Sequence, residues 1–592
     1  MKYKDKIVKY CIVFILSTGL AICIVMLFPQ VRQMIVELAA RMLHKQISIS
    51  GEWTKMLQLG AMRGLFFIAV FGYCSLTASG KALVCTIKNE IRDCLGEIDW
   101  RSFIKPTLIM SGIFLLGIIS IIRANFLYFD DTGRAALGYR RWYDWSRYAA
   151  EFFSMIIHAD YHLTDISPLP QLLAVLFLAV SSVSLVYVLN NKKITIIALL
   201  AGIPLGLSPY MLECLSFKFD APYMALSVLA SIVPFLFISR KKAFVIISVA
   251  SLLIMCITYQ AASGIYLLIA LVLGFNDWNR KRKTNREVFS FLGSGILSFC
   301  LAMIIFRFLL MRPYEYGYAT TSMLPFSQLF PNVLINFRNY ISVINGDFGF
   351  IWKALIGIIL CFFIFKSFRL SAQNKMISIL SAIVLLSLLF FLSYGVYIAL
   401  ERPLFKPRAL FGAGILLAII SIYVVLDYNK TAKIFALTLS WSFLVFALSY
   451  GNALSDQKRY AEFRTTVLLH DLSVLYPDKD KEENKIYIQL QNRIGFAPSV
   501  VNIAKHNPVI YRLVPQIIHE WEELDLWPHY YYLLYFNYGP TDTDNFAMAV
   551  KRGELYVDYT ALDLPVVLKT YYHTIRSDGK HVLVELNEGI KP

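Results

Sequence analysis

No cysteine follows Cys361 in the 592-residue chain, so the polar C-terminal portion holds neither a disulfide nor a thiolate metal site. Most of the nine cysteines that do occur sit inside apolar runs, where they read as small packing residues. Charge is also scarce: 16% of residues are charged against 57% hydrophobic. With repeated apolar runs of about twenty residues, that balance excludes a string of soluble domains and points to a polytopic α-helical membrane protein. There is no Gly-rich phosphate loop, no internal repeat and no low-complexity tract. The formal net charge of +17 does not indicate a nucleic-acid partner, because the cations form short clusters between apolar runs. Residues 1–450 hold 42 Lys and Arg against 21 acids, whereas 451–592 hold 15 against 19, a mildly acidic tail.

Apolar runs near 10–28, 57–79, 106–122, 170–189, 194–208, 221–238, 243–258, 261–275, 288–311, 350–365, 376–398, 409–426 and 432–450 predict thirteen transmembrane helices within a domain spanning 1–450. Lys2, Lys4, Lys6 and Lys9 precede the first run as in a signal peptide, but no small-residue cleavage site follows, so an uncleaved helix is expected. The 33 residues Ala243 to Phe275 are read as two spans turning near 258–264, because one helix of that length would reach about 50 Å, against a hydrocarbon core of about 30 Å. Between the first two runs, Val31, Ile35, Leu38 and Met42 fall at helical spacing and predict a helix lying on the membrane surface.

This division puts the basic loops 81–105, 192–193, 240–242, 280–286, 366–375 and 430–433 on the side of the N-terminal lysines, which the positive-inside rule makes cytoplasmic. The loops containing Asp130, Asp220, residues 312–348 and residues 401–408 then lie outside, with everything after Tyr450. Residues 451–592 are expected to form an extracytoplasmic α+β domain: a helix over 458–475, strand-like stretches KIYIQL, PVIYRLV, HYYYLLYF and ELYVDY, and a closing pair PVVLKTYYHTI and HVLVEL joined at Asp578–Gly579. The histidines of this tail read as surface residues.

The chemistry concentrates in loop 123–171, the one charged, aromatic-rich interval between two long apolar runs. Asp130 and Asp131 follow an apolar end with barely a polar spacer, at the depth where a lipid-linked phosphate would lie. One of them suits a general base for an attacking hydroxyl, with the other as an orienter; the sequence does not say which. Arg134, Arg141 and Arg147 in the same loop, Lys218 and Asp220 in SFKFDAPY, and Arg402, Lys406 and Arg408 in ERPLFKPR are candidates for substrate and phosphate contact. Arginine suits phosphate because its planar fork donates two bonds at once. His158, Asp160 and His162 in HADYH have a spacing that could seat a metal, but no third ligand of the usual kind accompanies them. No cofactor and no metal are expected.

The stretches FLYFDDTGR, RRWYDWSRY, DISPLPQLLA (Asp165 to Ala174) and SPYMLECLSFKFDAPYMALS (Ser208 to Ser227) resemble, in this order, the type II serotype-converting O-antigen glucosyltransferases of the GT-C superfamily. The resemblance implies a polyprenyl-phosphate-linked donor, usually of glucose, and transfer to a glycan such as the O-antigen of lipopolysaccharide on the outer face of the bacterial inner membrane. An acid in an early outer loop is catalytic in that superfamily, which maps to Asp130 and Asp131; the two spans predicted ahead of this loop depart from many of its members. A flippase for lipid-linked sugars is the competing class. It predicts charges at mid-span and matched halves, whereas Arg63 and Arg307, the main in-run charges, lie toward outer ends. An O-antigen polymerase or ligase is nearer in kind, but the acidic pair after a span favours a transferase.

Overall fold

The computed structural model describes residues 64–65, 68–311, 326–426, 429–477, 484–516, 532–538 and 558–588, together with Leu20 and the short strands Glu315–Tyr316 and Ala319–Thr320. The expected first span and the surface helix over 31–45 lie outside the described residues, and the second span is described mainly from residue 68 onward.

Eight described helices are long and apolar enough to cross a membrane, or up to ten if two bent pairs each count as one span. The stretch 243–275 is divided at Tyr259 into helices Lys241–Thr258 and Ser263–Asn279, close to the turn expected from its length. Two expected spans are shorter in the structure: Ala221–Phe237, whose last turns are a tight 3-10 segment, and the 15-residue helix Phe411–Val425. The latter is buried along its whole length, so its neighbours and not lipid surround it. The expected span near 194–208 is one arm of a bent pair, Ile196–Leu207 and Pro209–Ser216, meeting at 59° where Ser208 is extended ahead of Pro209. A residue before proline is pushed out of helical conformation, which places the bend.

The chain falls into two compact units, one of 1–99, 234–253 and 294–312, the other of 100–233, 254–293 and 313–592. In the second unit the helix Lys430–Leu475 packs along Arg101–Ala124. The contact is close because Gly451 has no side chain: a Cβ there would lie 2.2 Å from Ser120 Oγ. At 46 residues this helix is roughly 69 Å long, more than twice the hydrocarbon thickness, so the compositional break at Gly451 falls inside one unbroken element.

The C-terminal half of that helix carries a four-stranded sheet in the order Tyr487–Gln491, His581–Leu586, His573–Ser577, Val566–Lys569, the first pair parallel and the others antiparallel. Ala461, Leu468 and Leu472 of the helix bury against Leu490, Ile575, Val582 and Val584. KIYIQL and HVLVEL are strands as expected, whereas PVVLKTYYHTI, expected as one strand, is two, Val566–Lys569 and His573–Ser577, paired antiparallel. PVIYRLV is not a strand: Ile510–Leu513 is a helical turn, and Tyr532 to Tyr535 within HYYYLLYF is helical too. Their apolar side chains serve a buried face without the two-residue alternation that a half-buried strand needs. His573 is also no surface residue, being 1% exposed and 3.0 Å from the Asp471 carboxylate.

Candidate active site

Every described part of the site lies in the second unit. The helix Arg101–Ala124 stops at Asn125, whose φ of 48° turns the chain out of helix. After the buried Phe126 and Tyr128, and Phe129 at φ 46°, a short helix Asp130–Leu137 begins with the two acids in its first turn. Free N–H groups and the helix dipole favour negative charge there. The helix ends at Gly138, φ 68°, where a Cβ would come within 3.1 Å of the Leu163 carbonyl.

The adjacent acids point to different surroundings, as a 3.6-residue period requires. Asp130 is half-buried, whereas Asp131 has no solvent exposure. Asp131 Oδ2 accepts the backbone N–H of Lys218 at 2.8 Å and of Tyr128 at 3.2 Å, while Oδ1 has no hydrogen-bond partner. Burial pushes the Asp131 carboxyl up to about 8, helped by the charge of Asp220 and opposed by the two N–H groups and Arg134. Burial thus favours the protonated form of Asp131, and Oδ1 is the oxygen without a hydrogen-bond partner.

Asp220 joins stretches far apart in sequence. It pairs with Arg134, stands 3.8 Å from Arg147, and accepts from Trp142 Nε1 at 2.5 Å. Arg134 lies 4.3 Å over the Trp142 ring, and Trp142 buries with Leu163, Phe219 and Tyr223 in one apolar cluster. Lys218 Nζ donates to Asn125 and, at 2.6 Å, to Asp165. FLYFDDTGR, RRWYDWSRY, DISPLPQ and SFKFDAPY thus meet at one place. Arg140 pairs instead with Glu151 at 3.1 Å, and Arg141 is exposed beside the Tyr139 ring, apart from this cluster.

The loop 401–408 comes to the same region. Arg408 sets its guanidinium 5.4 Å from the Phe217 ring and 5.9 Å from that of Phe129. Its backbone N–H and its guanidinium both reach Glu213, a carboxylate 1% exposed, and its carbonyl accepts from Tyr259 Oη at 3.1 Å. Lys406 is half-buried and its charge acts on Glu213, while Arg402 is exposed. Glu213, a carboxylate inside the apolar PYMLECLS, carried the usual signal of a charge inside a hydrophobic run. Tyr128 and Arg512, which also touch this region, carried none.

The HADYH group is not gathered around a point. His158 stacks on Phe219, with ring centroids 5.8 Å apart, and its burial lowers its basicity. Asp160 turns back to accept the backbone N–H groups of Tyr161 and His162. Among the described residues no three His, Cys, Asp or Glu side chains are grouped to hold a metal.

The family model for glucosyl transferase GtrII matches residues 119–419, the stretch that contains Asp130, Asp131, Asp220, Glu213 and Arg408. The chain is also 25% identical over 434 residues, 70% of its length and 88% of the relative's, to an uncharacterized 55.3 kDa protein in the gtrB 5′ region of Salmonella phage P22. No solved structure matches it. With half of the chain matched, and the cluster that the helices assemble lying within the match, this membrane protein belongs to the GtrII glucosyl transferase family.

Proposed function

We propose that the protein is a GT-C-type transferase that moves a glucosyl unit, or another hexosyl unit, from a polyprenyl-phosphate-linked donor to a surface glycan such as O-antigen, with Asp130 as general base. The observation that carries the reading is the half-buried Asp130 just beyond an apolar helix, its charge acting on Arg134 and its chain neighbours Phe129 and Asp131 meeting the Arg408 guanidinium and the Lys218 N–H. An acceptor hydroxyl attacks the anomeric carbon, its proton passes to the Asp130 carboxylate, and the bond from that carbon to the phosphate oxygen breaks. The phosphate leaves as an anion and needs cations rather than an acid.

Several features support this division of labour. Burial favours the protonated form of Asp131 and leaves its carboxyl without solvent exposure, which supports the half-buried Asp130 as the base. Arg134 and Arg147 share the Asp220 carboxylate, and the Nε of each is buried without an acceptor. Donors of that kind suit an anionic ligand. The phosphate side of the site is assigned to Arg408 and Lys406, with Arg402 nearer solvent. The position at the end of an apolar helix suits a lipid-borne donor, and we place the reaction at the outer face of the inner membrane, with residues 451–592 periplasmic.

The decisive experiment compares the surface glycan of cells with and without this protein. One added hexose branch is the expected result; loss of all glycan export would instead identify a flippase and overturn the proposal.

A further inference from the structure

Arg512 and Leu513 lie beyond residue 419, where the family match ends, yet both sit among the elements that carry the site. They share one helical turn, Ile510–Leu513. Arg512 pairs through one terminal nitrogen with the Asp347 carboxylate and donates through the other to the Phe405 carbonyl. Asp347, the last residue of helix Phe326–Asp347, is 3% exposed and accepts a further bond from Tyr210 Oη at 2.8 Å. Phe405 directly precedes Lys406, and three residues on the Arg408 N–H is held by Glu213. The backbone of the cationic loop is thus gripped at both ends, once from the C-terminal portion and once from the membrane part.

Leu513 extends the same hold to the acids. Its carbonyl accepts from Tyr128 Oη at 2.7 Å and from Tyr450 Oη at 3.2 Å. Tyr128 is the residue whose backbone N–H donates to Asp131, two residues before the short helix that starts at Asp130. One dipeptide of the tail therefore touches both the cationic loop and the acid-bearing turn.

We infer that Arg512 is a positioning residue for the transfer: by holding Asp347 and Phe405 together it sets where Lys406 and Arg408 stand relative to Asp130, so the C-terminal portion is part of the catalytic site. The inference rests on the reading of that loop as the holder of the donor phosphate. Arginine is needed because its planar fork serves a carboxylate and a carbonyl at once, whereas the single ammonium of lysine cannot span both in the same geometry. A merely structural anchor would alter the melting temperature and leave donor KM unchanged in the folded protein.

The test uses the full-length protein in detergent, with a polyprenyl-phosphate-linked hexose as donor, and compares wild type with Arg512→Lys and Arg512→Gln. Losing a bond to a charged donor predicts a donor KM raised about ten-fold or more, with kcat within about three-fold of wild type and acceptor KM unchanged. Hydrogen exchange at the amides of Lys406 and Arg408 is expected to quicken in both variants, less in the Lys variant. Should Arg512→Gln fail to fold, Arg512→Lys, which keeps the pair with Asp347, decides the matter. Wild-type donor KM and wild-type exchange in that variant would overturn the inference, as would a fall in kcat at unchanged donor KM. If the wild type itself transfers nothing from such a donor, the reading of the reaction fails, and exchange at Lys406 and Arg408 alone then sustains or overturns the positioning role.

Discussion

Burial raises the Asp131 carboxyl, and in the proposed mechanism this sets it apart from its neighbour Asp130. Replacing Asp130 by Asn keeps the shape and removes the basic oxygen, so turnover is expected to fall by about two orders of magnitude or more at unchanged donor KM. Asp131→Asn mimics the protonated form that burial favours, so it is expected to keep turnover within about ten-fold of wild type; steady-state assays on the pair check both, and the reverse pattern would exchange the roles. The same acid predicts a pH dependence. Its carboxyl is held up to about 8 in the folded protein against 3.8 for the free side chain, so the native state binds the extra proton between those values. Stability from this group is complete below about pH 4 and is lost as pH rises through about 8. Melting in detergent is therefore expected to fall between pH 6 and pH 9, and to fall less in Asp131→Asn. Equal slopes in the two proteins would show that Asp131 is not the titrating group.

At the scale of elements, the site depends on two close approaches. Helix Lys430–Leu475 reaches Arg101–Ala124 at Gly451, where a Cβ would stand 2.2 Å from Ser120 Oγ and 2.5 Å from the Ile121 nitrogen. Gly451→Ala must push the helices apart and is expected to cost about 1–3 kcal/mol, read as a lower melting temperature; an unchanged one would mean that the helices do not meet there. The cationic loop is the second approach, and its three cations are expected to separate. Arg402→Gln and Lys406→Gln are expected to weaken donor use with stability near wild type. Arg408→Gln is expected to weaken donor use and also to lower the melting temperature, because it leaves Glu213 buried without its guanidinium partner. Donor KM and melting curves of the three variants test this, and wild-type donor use by all three would remove the loop from the site.

For the whole molecule, the membrane helices and the C-terminal sheet are joined by one continuous helix, so the side on which that helix emerges places the sheet. Under the proposed topology, which rests on the alternation of basic loops, that side is outside. A reporter fused after Lys591 is expected to be active only if it requires export, and activity confined to the cytoplasm would reverse the topology. The tail also reaches back into the site through Arg512 and Leu513, so the polar portion is more than an appendage of the membrane part.

The membrane class, the break of 243–275 into two helices and the strands Tyr487–Gln491 and His581–Leu586 were legible in the sequence, because hydropathy and residue period act locally along the chain. What burial does to Asp131 was not, since the raised carboxyl follows from its desolvation in the folded protein, against which the Lys218 and Tyr128 N–H groups act. Nor was the partner of each cation: Arg134 and Arg147 find Asp220, Arg408 finds Glu213, and Arg141 stays exposed. PVIYRLV reads as a strand when taken alone and is helical where its residues pack. Charge and period along the chain specify what kinds of groups are present and which segments are apolar; desolvation and pairing are set by neighbours distant in sequence, and these only the tertiary structure decided.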